Sequence, residues 1–363
     1  MKLSNLSQGK DNNFNLIRIV SALAVLITHS FALATGSGDA EPFRLSLGMT
    51  MGTIAVDIFL ITSGFLVTAS LLTRQSVIEF IWARVLRILP ALLVMLTLTV
   101  FGLGVYFTTL PLVSYLTESK TYLYLIKCAS LITGVAYNLP GVFDGNPYNN
   151  AVNGSLWTMP YEVKMYMLLA FTWLVLSATK MNKFKLFKFT IVSVLATSGI
   201  LFVACNYSFP TEFSRFSFMF FSGAAIYVLR KYIYLSHSLF WLALIALLWS
   251  TFINAHIFFI FYVLTIPYIL FYLAYIPSGD IRKYNLLGDY SYGVYIYAFP
   301  VQQSVAAMVP GVSVLSMIFI SATATLLLAV ISWHVLERRA LGLKNYYVGH
   351  TKKILTFSLR SSS

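Results

Sequence analysis

Ten stretches of this chain stay predominantly apolar for about the 20 residues that a helix needs to cross a hydrocarbon layer. They run roughly over 14–34, 52–72, 88–109, 157–178, 189–206, 213–229, 238–254, 255–276, 289–308 and 313–336. A soluble core cannot hide so much apolar surface. Of 363 residues, 58% are hydrophobic and 10% charged, against about 45–50% and about 25% in ordinary globular domains. The 29 Phe, 23 Tyr and 6 Trp exclude disorder. The sequence predicts an all-α integral membrane protein, a bundle of about ten transmembrane helices.

Charge then orients the bundle. The chain carries 25 Lys+Arg and 12 Asp+Glu, a net charge of +13. Clustered on a soluble face, such an excess points to nucleic acid; spread over the loops of a membrane protein, it records topology. With the N-terminus inside, 20 of the 25 basic residues fall on one side, and only Arg44, Lys120, Lys127, Lys164 and Arg215 do not. An even number of spans with both termini cytoplasmic follows. Membrane lipid is the expected partner and nucleic acid is not.

The first span continues past any plausible signal h-region and is expected to stay as an anchor. The connection 110–156 falls outside. Its stretch TYLYLIKCASLITGV reads as an interfacial or re-entrant helix and the remainder as an ordered loop. The chain reads as one membrane domain, 1–363, with a short basic cytoplasmic tail over about 337–363 and no appended soluble domain. Cys128 and Cys205 allow at most one disulfide, with pairing left open, and no metal site is expected.

Several residues are out of place in lipid. Arg18 and His29 stand eleven residues apart in the first span, which at 100° per residue puts them on one face. Ionisable groups at such depth are costly and usually functional. Paired, they suggest a polar cleft entered from the cytoplasm. Asp57, in VDIFLITSGF, needs a partner or else orients His29, and joins it as a catalytic candidate. Gly64 reads as a close-packing position. Arg84 and Arg87 are neighbours on one helix face, fit either to mark topology or to grip phosphate as a guanidinium fork. In NGSLWTMPYE, Trp157, Tyr161 and Glu162 combine aromatic faces with a carboxylate, as a sugar site does, although Lys164 stands near enough to neutralise Glu162. Tyr292, Tyr295 and Tyr297 cannot all face one way. Glu337, with Arg338 and Arg339, reads as a solvated helix end.

Together these runs resemble the bacterial membrane-bound acyltransferase-3 family, in the family's order from the first span to Glu337. They are the Arg-x10-His of Arg18 and His29, VDIFLITSGF, the Arg-x2-Arg of Arg84 and Arg87, NGSLWTMPYE, GDYSYGVYIY and SWHVLER. The resemblance implies transfer of an acyl group, usually acetyl, from acetyl-coenzyme A or another acyl-coenzyme A to a hydroxyl of a cell-envelope sugar, polysaccharide or lipid-linked glycan. It implies a location in the bacterial inner membrane and no permanently bound cofactor. His29 matches the catalytic residue, as general base or as carrier of the acyl group itself; Arg18, Arg84 and Arg87 match the acyl-donor side; Trp157, Tyr161, Glu162 and Tyr292 are assigned to the acceptor. The sequence departs from many relatives at Ala298, where they have His, and at Arg339, where they have Pro. The rival class is a transporter or flippase of glycan intermediates, which also carries polar residues at mid-depth.

Overall fold

The computed structural model describes residues 1–9, 11–148, 151–204 and 212–361; Lys10 and Cys205 lie outside the described residues. All ten predicted segments contain helices. They are α1 (Phe14–Thr35), α2 (Met51–Arg74), α3 (Val77–Leu98), α5 (Met159–Ser177), α6 (Lys183–Ala204), α7 (Glu212–Leu229), α8 (His237–Ser250), α9 (Ala255–Tyr275), α10 (Ser291–Met308) and α11 (Val314–Ser332). The long connection adds α4 (Ser119–Ser130), and the C-terminal segment is α12 (Lys344–Ser361).

Among the described residues, six helices are long and apolar enough to cross a membrane: Phe14–Thr35, Met51–Arg74, Val77–Phe107, Lys183–Phe202, Ala255–Tyr275 and Val314–Phe357. The other four fall short of that standard. α8 has 14 residues, and α5, α7 and α10 carry polar residues such as Glu162, Arg215, Gln302 and Gln303. The protein is therefore a multi-pass membrane protein with six such spans among the described residues.

Close packing sets the bundle's geometry. α2 crosses α7 where Gly64 faces the Phe220 carbonyl and Gly223 faces the Ile61 carbonyl; a Cβ at either glycine overlaps backbone. Small residues let helices approach this closely. α1 and α10 run parallel. Gln302 Nε2 donates to Leu26 O at 2.8 Å and to Ser30 Oγ at 2.7 Å, while Arg18, on the first turns of α1, meets Asp289 just before α10.

Two π-turns interrupt the helices, at Thr99–Leu103 after α3 and at Trp333–Glu337 after α11. The described part of the connection 110–156 is tied down at several points. Tyr115 Oη donates to Val100 O at 2.9 Å. The turn at Ser130–Ile132 after α4 borders the same hollow as Ile88 and Leu89. Eleven residues of helix separate Leu89 from Val100, about 16 Å, so α4 runs back along α3 before the chain returns. Cys128 is buried and donates to Ala136 O at 3.3 Å.

Proline matters at one point of this connection. Pro300 has no N–H, which frees the Ile296 carbonyl inside α10, and Asn153 Nδ2 donates to it at 2.9 Å. The tail predicted as a short basic extension is helical: α12 docks on α3 through a Trp82–Tyr347 ring stack at 4.7 Å and a 2.9 Å hydrogen bond from Trp82 Nε1 to Thr351 Oγ1.

Candidate active site

A cavity of about 310 Å³ opens between α1, α2, α3, α5 and α10, lined by Arg18, Arg84, Arg87, Glu162, Asp289 and Tyr292 among others. All three arginines singled out in the sequence therefore line one cavity. Guanidinium groups in a partly dry space need counter-charges, and two acidic residues not singled out as site residues supply them to Arg18 and Arg87. Asp289 pairs with Arg18 and, at 2.6 Å, with Arg87; Glu337 pairs with Arg87 at 3.1 Å. The result is an alternating ladder, Arg18–Asp289–Arg87–Glu337. Arg87 also lies over the rings of Tyr292 and Trp333 at 5.6 and 5.5 Å, and Tyr292 Oη donates to Ile88 O at 2.8 Å.

The solvated helix end expected at Glu337 is thus a buried carboxylate, 1% exposed. The π-turn explains the difference. At 100° per residue, Ser332 and Glu337 point well away from each other. The π-turn's wider i→i+5 repeat brings them together, and Ser332 Oγ donates to Glu337 Oε1 at 3.0 Å. The signal available in sequence was the balance of charge: three arginines in an apolar setting imply acids, and the chain has only 12.

Glu162 also lines the cavity, but Lys164 does not neutralise it. Lys164 Nζ sits over the Tyr161 ring at 5.2 Å. Glu162 instead accepts from Ser63 Oγ at 3.0 Å and from Tyr166 Oη. Trp157 and Tyr161 pack around Phe216, at 5.4 and 5.1 Å between ring centroids, and neither lines the cavity. Tyr292 and Tyr295 do line it, while Tyr297 does not.

His29 stands just beyond the cavity rather than on its wall. Its ring meets the edge of Phe299 at 5.3 Å, and Nδ1 lies 3.5 Å from Ser155 Oγ. The partition is Tyr295, one turn before Phe299 on α10: its hydroxyl donates to Ser155 O at 2.6 Å and bonds Thr158 Oγ1. The predicted cleft from Arg18 toward His29 therefore ends at a tyrosine hydroxyl and a serine.

The Asn153-Gly154-Ser155 turn sets that end. Asn153 holds it to α10, and Gly154 has no side chain where the Phe299 ring passes. No carboxylate orients His29 among the described residues. Asp57, the expected candidate, is spent elsewhere: fully buried, it accepts from Arg215 at 2.9 Å and from Tyr262 Oη at 2.8 Å. It has the partner a carboxylate in lipid requires, and that partner is one of the five basic residues outside the cytoplasmic set. No cluster of His, Cys, Asp and Glu fit to hold a metal occurs among the described residues.

Comparison with known proteins adds to this geometry. Residues 11–334 match the acyltransferase domain family, acyltransferase-3. An O-acetyl transferase of Shigella phage Sf6 is 28% identical over 340 residues, covering 92% of this chain and 96% of its own length. Nodulation protein 10 of Rhizobium leguminosarum bv. viciae is 29% identical over 169 residues, 45% of this chain and 44% of that protein. No solved structure matches the chain.

Proposed function

The chain belongs to the acyltransferase-3 family, and on that premise we propose that it transfers an acetyl group from cytoplasmic acetyl-coenzyme A to a hydroxyl of a cell-envelope sugar or glycan. The observation that carries this reading is the arginine-lined cavity whose wall includes Tyr295, hydrogen-bonded to the Ser155 that borders His29. Guanidinium groups grip phosphates bidentately. Arg18 and Arg87 exchange their carboxylate partners for the donor's phosphates at the inner mouth, with both termini of the chain on that side. The acetyl end reaches up the cavity, and Tyr295 moves off the Ser155 carbonyl to open the last step.

A thioester carbon is electrophilic, but a sugar hydroxyl is a poor nucleophile near neutral pH. Neutral His29 removes the hydroxyl proton as the oxygen attacks the thioester carbon. The carbon–sulfur bond then breaks, and the departing coenzyme A thiolate takes up a proton. Glu162, held by Ser63 and Tyr166 on the cavity wall, receives hydroxyl groups of the acceptor. A positioned base contributes roughly 10²–10⁴-fold. Purified protein given radiolabelled acetyl-coenzyme A and candidate glycans is expected to move label to the glycan, and His29→Ala to lose that factor while remaining folded. Full transfer by the His29→Ala protein refutes the assignment.

A further inference from the structure

The turn before α5 aims one side chain at His29. Ser155 is 1% exposed, and both of its backbone polar groups are tied. Its N–H donates to Asn153 Oδ1 at 3.2 Å, and its carbonyl accepts from Tyr295 Oη at 2.6 Å. Asn153 is itself fastened to α10 through the Ile296 carbonyl. The serine keeps little freedom beyond the rotation of its hydroxyl, and Oγ lies 3.5 Å from His29 Nδ1. The edge of Phe299 braces the imidazole as well, and Gly154 leaves room for that ring. Three consecutive residues, Asn153, Gly154 and Ser155, thus build the seat of one imidazole.

Satisfying the serine decides the state of the histidine. A buried hydroxyl gives its hydrogen to an acceptor, and among the described residues the acceptor beside Ser155 Oγ is His29 Nδ1. A ring nitrogen that accepts carries no hydrogen, so in the neutral imidazole the hydrogen sits on Nε2. Nε2 then has no lone pair to offer a proton. The basic atom of His29 is Nδ1, and Ser155 Oγ covers it. Tyr295, which bonds the same serine, lines the cavity, whereas His29 does not.

We propose that Ser155 relays the proton that His29 removes. The acceptor hydroxyl bonds Oγ. As its oxygen attacks the thioester carbon, its proton passes to Oγ while the serine's own hydrogen passes to Nδ1. When the carbon–sulfur bond breaks, the imidazolium returns a proton through Oγ to the departing thiolate, and ring and serine end as they began. No bond forms between the serine and the acetyl group. The relay rests on the acyl-transfer reading; the hydrogen bond from Oγ to a bare Nδ1 does not. A serine beside a histidine otherwise serves as a nucleophile with its base, an outcome distinguished below.

The full chain in maltoside detergent, labelled with heavy nitrogen at its five histidines, gives the ring state by magnetic resonance without turnover, and His29→Gln identifies the His29 signals. In the unaltered chain Nε2 is expected to carry the hydrogen and Nδ1 to be bare, and Ser155→Ala to redistribute the hydrogen between them. With radiolabelled acetyl-coenzyme A and glycan, Ser155→Ala is expected to lower kcat about 10²-fold, with the donor KM changed less than about threefold. Ser155→Thr, which keeps a hydroxyl, is expected to recover to within about tenfold of the parent. If the alanine variant elutes as aggregate, Ser155→Val is compared with Ser155→Thr, the same shape without and with the hydroxyl. A hydrogen on Nδ1 in the unaltered chain, a ring state indifferent to Ser155→Ala, full kcat in that variant, equal kcat in the valine and threonine pair, or acetyl carried on Ser155 after donor alone overturns the proposal. A chain with the stated ring that acylates nothing refutes the proposed function alone, and one that acylates with its hydrogen on Nδ1 refutes the relay alone.

Discussion

Asp57 gives the sharpest check on which buried charges belong to chemistry and which to architecture. Its two oxygens are divided between Arg215 and Tyr262, with no exposure. Asp57→Asn keeps the volume and strands the Arg215 guanidinium between α2, α7 and α9. Removing one side of a buried pair costs about 3–5 kcal/mol, which at about 1.4 kcal/mol per tenfold is roughly 10²- to 10³-fold or more in the folding equilibrium. Arg215 keeps the Thr53 carbonyl at 3.0 Å and Glu212 at 3.6 Å, so the lower end, about 3 kcal/mol, is expected. Arg215→Met leaves the carboxylate with Tyr262 as its remaining named donor, and the upper end is expected. The double variant strands neither charge; replacing a whole buried pair is often neutral, so it should return to within about 1 kcal/mol of the parent. Unfolding of the four proteins in detergent, followed by tryptophan fluorescence, gives the cycle, and acyl transfer per folded molecule is measured beside it. A fully stable Asp57→Asn protein that has lost about 10²-fold or more in transfer would place the aspartate at the reacting atoms, as a general base or its orienter, and refute the structural assignment.

Arg87→Ala is expected to raise the acetyl-coenzyme A KM by about 10- to 100-fold with a smaller effect on kcat, because it contacts groups remote from the reacting carbon; initial rates at varied donor check this. Glu337→Gln removes one of Arg87's two carboxylates without removing bulk, and donor affinity measured by equilibrium binding is expected to rise, since less competes for the guanidinium. Gly64→Val forces a side chain into the Phe220 carbonyl, and loss of the monodisperse folded species on gel filtration is expected. Gly64→Ala is expected to fail in the same assay, because a single Cβ there already overlaps that backbone.

Much of this arrangement was legible in the chain. Apolar runs located the ten helices, and the spacing of Arg84 and Arg87 put both on the cavity wall. Pattern alone could not distinguish a helix that meets a spanning standard from one with an inward polar face, as in α5 and α10. It also missed contacts that depend on tertiary partners. Asp57 satisfied the rule that an intramembrane carboxylate has a partner, but nothing local to VDIFLITSGF points to Arg215, more than 150 residues away. Glu337 was hidden by helical periodicity, which a π-turn breaks. His29 and Arg18 follow α1 toward the same neighbour, α10, yet the Tyr295 partition between cavity and imidazole depends on the fold of the stretch just before α5, which is rich in Asn, Gly and Pro.

The charge ladder draws Arg18 and Arg87 from the first helices to be made, and Asp289 and Glu337 from the last. During synthesis, two cations enter the membrane long before their anions leave the ribosome. Until then they must be sheltered by water, lipid headgroups or the insertion machinery. The assembled pocket therefore records completion: a chain halted before α11 lacks the carboxylate that closes the ladder, however well its earlier helices have inserted.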